Sequence, residues 1–207
     1  MGSALTYSHH ISNLTRSCYF QLRRLRTIRK AVSVPIFTFI VHAFVCSRIN
    51  YCNSLLIGLS KTRLSPLQTV LNAAARLIAR LSCYSHISSY QGTSLIGFQS
   101  DWLPISTRIE YKGLLIVLKA PMGMAPKYLR DAIRLPTSAS YLRPLCSLDR
   151  RELFVPRTRT TMAMSRSFSV IGPSLWNRLQ PSARPSLLSS NLSRSLSLLA
   201  TCLFSWS

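Results

Sequence analysis

Asp101, Glu110, Asp131, Asp149 and Glu152 are the five carboxylates available for chemistry in this 207-residue sequence, and none falls in its first hundred residues. Two-metal phosphoryl transfer needs at least two carboxylates converging on divalent ions, and general acid–base catalysis needs a comparable pair. Asp149 and Glu152 stand one helical turn apart, but Arg150 and Arg151 lie between them. That pattern reads as local charge compensation in a solvated segment. The six cysteines, at positions 18, 46, 52, 83, 146 and 202, form no Cys-x-x-Cys pair. Cys83 and His86 have a ligand-like spacing, yet no second pair completes four zinc ligands. The same two residues make a poor nucleophile–base pair in an aperiodic stretch. No Gly-rich phosphate loop, nucleophile elbow or His-Glu-x-x-His string occurs. The expectation is a chain without catalytic residues, resident metal or cofactor, and with no small-molecule substrate.

Arginine carries the remaining chemistry. Twenty-six Lys and Arg against five acids give a formal net charge of +21, and self-repulsion on that scale is relieved by a polyanion. Nucleic acid is the first candidate, an acidic membrane surface the second and an acidic protein the third. Two clusters stand out: Arg16, Arg23, Arg24, Arg26, Arg29 and Lys30, and then Arg150, Arg151, Arg157, Arg159 and Arg166. The second is interleaved with Thr158, Thr160 and Thr161, and guanidinium plus small hydroxyl donors suits phosphate oxygens without specifying a base. Tyr19, Phe20, Tyr51, Trp102 and Trp176 are able to stack on bases, but their apolar neighbours favour core packing.

The elements that must position these groups are mainly α-helical. Ile11, Leu14, Cys18, Leu22, Leu25 and Ile28 recur at steps of three and four, predicting an amphipathic helix over 8–30 with Ser8 as N-cap. A second helix over 33–57, apolar nearly all round from Val34 to Cys46, reads as buried: its strictly apolar run is too short to span a bilayer. His42 within it reads as a core or boundary histidine. Ser65-Pro66 predicts the start of a third helix, striped by Leu67, Val70, Leu71, Ala74, Leu77, Ile78 and Leu81. Residues 1–81 thus form a basic three-helix region, 82–101 an irregular loop and 102–135 a helical region. In the last, 105–120 places Ile105, Ile109, Leu115 and Leu118 inward, and a short helix spans Lys127 to Ile133. Residues 136–207 are rich in Pro, Ser and Arg: extended at Phe154-Val155-Pro156, a short strand at 166–171, a helical turn or two from Pro173 to Leu179. A last amphipathic helix is marked by Leu188, Leu192, Leu196, Leu199 and Leu203. The polar N-terminus shows no secretory signal, so the cysteines read as free thiols and the location as intracellular, nuclear or cytoplasmic.

Particular strings narrow this reading. Ser17-Cys18-Tyr19-Phe20 with Leu22-Arg23 resembles the segment just after the polymerase palm in LINE-class (non-LTR) retrotransposon reverse transcriptases. Val41-His42-Ala43-Phe44-Val45, Ser47-Arg48-Ile49 and Tyr51-Cys52-Asn53-Ser54-Leu55-Leu56 are similar to a further block of that family, with Asn50 where an aspartate is usual. Leu67-Gln68, Asn72-Ala73-Ala74-Ala75-Arg76-Leu77, Trp102-Leu103-Pro104-Ile105, Ala125-Pro126-Lys127-Tyr128-Leu129, Val155-Pro156-Arg157-Thr158 and Pro173-Ser174-Leu175-Trp176-Asn177 continue the series in order. The resemblance departs between His86 and Trp102, where the spacing is too long. It implies the helical thumb together with the region downstream of the thumb, which grips primer and template. The palm's metal-binding aspartates and the endonuclease would lie upstream of this fragment. The expected partner is RNA or an RNA–DNA hybrid, with DNA a further candidate, bound through the phosphate backbone without chemistry. The alternative expectation is a translated relic, or a structural or interaction protein, without a selected activity.

Overall fold

The computed structural model describes residues 7–51, 53–82, 84, 104–133, 152–157, 167–180 and 184. These are mainly helical, with no β-strand among the described residues. They fall into two compact units, residues 1–108 and residues 109–207.

In the first unit, α1 (Ser8–Ile28) buries Ile11, Cys18, Leu22 and Leu25. Its start differs from the expected one: Tyr7, in a left-handed conformation, occupies the cap position and its carbonyl accepts from Ile11 N–H at 2.9 Å, so Ser8 is already helical. The next rod is continuous but not uniform. It runs as α2 (Val34–Val41), a π-helical turn (His42–Cys46) and α3 (Ser47–Asn50). Pro35 sits in the first turn of α2, where its fixed φ is pre-set and its missing N–H costs nothing. In the π turn Ser47 N–H reaches back to the His42 carbonyl, and the Ser47 hydroxyl donates to Ala43. The side chain thereby satisfies a carbonyl in the widened turn.

Burial of this rod is one-sided, which corrects the expectation of an apolar helix covered all round. Phe37, Val41, Val45, Cys46 and Ile49 are buried, whereas Ile36, Phe39 and Phe44 are exposed. The neighbours of the rod, α1 and the next helix in the chain, reach one face only.

That next helix, α4 (Lys61–Ala79), begins a turn before Ser65-Pro66, from Ser60 in an extended conformation, and Pro66 lies inside it. Leu64 explains the early start. It extends the stripe of Leu67, Val70, Leu71, Ala74, Ala75 and Ile78 and is buried with them, and a turn ahead of the proline is needed to place it. Pro66 is exposed, so the carbonyl that loses its donor there can meet water. Small Ala74 and Ala75 let α4 pack closely on α1. The helix ends at Arg80, whose φ of 57° is left-handed, and both Arg80 and Leu81 donate to the Arg76 carbonyl. The first turn of α5 (Ile105–Lys119) is held by α4: Gln68 Oε1 accepts from Ile105 N–H at 2.8 Å, while Gln68 Nε2 donates to Asn72 at 2.9 Å. The buried Arg108 guanidinium donates to Asn50 Oδ1 at 3.1 Å.

In the second unit the rest of α5 buries Ile109, Leu114, Val117 and Leu118, one position from the expected inward set because Leu115 is half-buried. After it come α6 (Lys127–Ala132) and α7 (Phe168–Arg178). Of the expected strand at 166–171, residues 168–171 are instead the start of α7, and Arg166 lies outside the described residues. Val170 and Ile171 favour strand intrinsically, but burial of Leu175 and Trp176 at helical spacing overrides them. Gly172 permits the approach of α5, since a Cβ there would lie 3.1 Å from Val117 Cγ2. The Asn177 side chain clasps residue 153 from both sides, Oδ1 accepting from Leu153 N–H at 2.9 Å and Nδ2 donating to its carbonyl at 2.8 Å. Buried Arg184 donates to the Asn177 and Leu179 carbonyls at 2.6 and 2.8 Å and pairs with Glu152 at 3.4 Å. Irregular residues 152–157 are therefore tied to the C-terminal end of α7. The expected helix from Leu188 to Leu203 lies outside the described residues.

Candidate nucleic-acid interface

The basic cluster on α1 separates from the core because a helix turns about 100° per residue. Arg16 and Arg23, seven residues apart, fall nearly on one line, with Arg24 and Arg26 to either side; the buried stripe of Ile11, Cys18, Leu22 and Leu25 occupies the opposite face. Arg16, Arg23, Arg24, Arg26 and Lys30 are all exposed. None can find a carboxylate among the described residues of this unit, for these contain no Asp or Glu; Asp101 lies outside them. The result is an elongated cationic surface on a rigid element, suited to a row of phosphates.

Arg29 does something different. Its guanidinium donates to the Ile78 carbonyl at 2.7 Å and lies over the Phe37 ring, 5.4 Å from the centroid. It therefore joins α1, α2 and the C-terminal end of α4, where cations are favoured by unsatisfied carbonyls. Burial, then the nearby Arg80, lower its pKa from the usual arginine value, although a guanidinium stays charged at neutral pH.

Arg48 is a cation that the spacing patterns do not single out. It is exposed and donates to the Ser17 hydroxyl of α1, 31 residues away in sequence, so no local pattern could announce it. The aromatic candidates also divide. Trp176 is buried and Tyr19 half-buried, as core packing requires, whereas Phe20 and Tyr51 are exposed; Trp102 lies outside the described residues.

Of the second cluster, Arg157 is exposed at the end of the segment clasped by Asn177. Arg150, Arg151, Arg159 and Arg166 lie outside the described residues. No group of three or more His, Cys, Asp or Glu able to hold a metal ion occurs among the described residues. Cys18 and Cys46 are buried and in no disulfide, and burial pushes the Cys18 thiol up to about 11, a neutral packing group rather than a nucleophile. Glu110 pairs with Arg178 at 3.9 Å and Glu152 with Arg184, so both acids are engaged with cations. No described helix is long and apolar enough to cross a membrane. No family model matches the chain, and neither the curated proteins nor the solved structures contain a match to it.

Proposed function

We propose that this chain binds polynucleotides through their phosphate backbone and performs no chemistry on them. It acts as the post-palm thumb region of a LINE-class reverse transcriptase would, on RNA or an RNA–DNA hybrid, inside the cell. The observation that carries the reading is the exposed face of α1: Arg16, Arg23, Arg24, Arg26 and Lys30 point outward from a unit whose described residues hold no acid. A solvated surface helix ordinarily mixes both signs of charge, and this one does not. The ordered series of strings shared with the reverse-transcriptase family supports the choice of polymer.

The test is charge reversal. Arg23, Arg24 and Arg26 are exposed and off the buried stripe, so R23E/R24E/R26E is expected to keep its helix content by circular dichroism. Its affinity for an RNA–DNA hybrid is expected to fall on the order of a hundredfold at moderate salt. Unchanged affinity rejects the interface. One observation favours the alternative of a relic or interaction protein: the exposed apolar face of Ile36, Phe39 and Phe44, a patch of the kind that partners cover. On that reading the triple reversal leaves nucleic-acid affinity as weak as it found it.

A further inference from the structure

Phe20 is 57% exposed on the basic helix, although phenyl rings usually go to the core. The side chains that neighbour it on a helix surface lie three and four residues away. They are Arg16, Ser17, Arg23 and Arg24. The three arginines are exposed, and Ser17 accepts a hydrogen bond from the Arg48 guanidinium. Arg24 lies over the ring, its guanidinium carbon 5.8 Å from the centroid. A flat apolar face thus stands at the centre of four cations.

Phosphate binding accounts for the arginines but not for the ring. In a duplex the base faces are already stacked on one another, and a ring on the protein surface meets only sugar and phosphate. An unpaired strand offers free base faces. These stack on phenyl rings and on guanidinium planes, while flanking cations hold the adjacent phosphates. We infer that Phe20 and Arg24 form a stacking platform for a base of single-stranded RNA or DNA, so that this face of α1 prefers unpaired strand to duplex. The inference rests on the polynucleotide reading above and narrows its ligand. Arg24 shields the ring in the free protein and offers its own plane, or moves to a phosphate, when a base arrives. A second copy of the chain is a poor occupant, because two such cationic faces repel. A bilayer surface is poorer still: it needs an apolar stripe along the helix, and here the ring is isolated among polar neighbours.

Anisotropy titrations of the full chain with a short uridine oligoribonucleotide, its abasic counterpart and an RNA duplex test this. Wild type is expected to bind the base-bearing strand about tenfold more tightly than the abasic strand of equal charge. Phe20→Leu is expected to lose that tenfold on the uridine strand and to change duplex affinity less than about twofold, whereas Phe20→Trp retains it. Equal affinity of wild type for uridine and abasic strands overturns the platform, as does an equal loss by Phe20→Leu on strand and duplex. In either case, continued sensitivity of all three ligands to R23E/R24E/R26E leaves the phosphate reading standing. Wild type that binds none of the three ligands overturns both readings. The uridine-versus-abasic comparison needs no variant, so equal affinity there overturns the platform even where a substitution disturbs folding.

Discussion

Two arginines on neighbouring helices illustrate how one residue type divides between structure and surface. Arg29 donates to a carbonyl at the end of α4 and stacks on Phe37, so its removal strips a charge-assisted hydrogen bond and a cation–π contact together. Arg29→Ala is expected to destabilise the chain by about 1–2 kcal/mol, measured by urea unfolding, while changing the polynucleotide affinity of the folded protein little. An affinity loss as large as that of Arg23→Ala, with stability intact, would place Arg29 back among the binding residues. Arg80 holds a left-handed φ of 57° at the end of α4, which a side chain disfavours, and its charge opposes that of Arg29. Arg80→Gly is expected to raise stability by about 0.5–1 kcal/mol; a lower melting temperature would show that the Arg80 side chain contributes more than its backbone costs. From sequence both residues are simply basic. Arg29 follows Arg26 at helical spacing, and nothing local distinguishes a guanidinium that meets solvent from one that meets a carbonyl 49 residues away.

At the scale of elements, periodicity locates the helices well and their ends poorly. The buried stripes of α1 and α4 follow the steps of three and four that the sequence displays, but they are narrower than expected: Ile28 is exposed, and Leu14, Leu77 and Leu81 are half-buried. The start of α4 escapes a local reading because Ser65-Pro66 is a strong start signal, and Leu64 outweighs it only once α1 and α2 supply a surface to bury against. The start of α7 reads as strand for a related reason: Val170 and Ile171 carry a local preference that Leu175 and Trp176 override by packing. The rod of α2, the π turn and α3 is the more instructive departure. An all-round apolar sequence implies complete cover, yet Phe39 is 75% exposed. Replacing Phe39 by Ser is therefore expected to change unfolding free energy by less than about 0.5 kcal/mol while reducing light scattering at moderate salt. A loss of several kcal/mol would mean that Phe39 is covered in solution. The candidate site is legible to a similar degree. The basic face of α1, with Phe20 on it, comes from spacing alone, whereas Arg48 beside Ser17 depends on how helices pack.

For the whole molecule the governing quantity is charge. A formal net charge of +21 resists the close approach of copies, while the exposed face of α2 favours it. A polyanion removes the first term and lets the molecule settle on a partner that matches its surface. The chain is accordingly expected to scatter less light and melt at higher temperature with RNA present. A monodisperse, cooperatively folding monomer unaffected by RNA would contradict the view of it as adapted to a polyanion. The exposed cations of α1 are proposed to neutralise phosphates, and salt reads this directly. Each neutralised phosphate on a duplex lowers log affinity by roughly 0.9 per tenfold rise in salt. The five exposed cations on and just beyond α1 therefore predict a slope of about −4.5 or steeper when an RNA–DNA hybrid is titrated from about 50 to about 200 mM salt. Changing Arg23, Arg24 and Arg26 to Gln is expected to make that slope about 2.7 shallower. A flat salt response, or a steep one that the three substitutions leave unaltered, would contradict the claim.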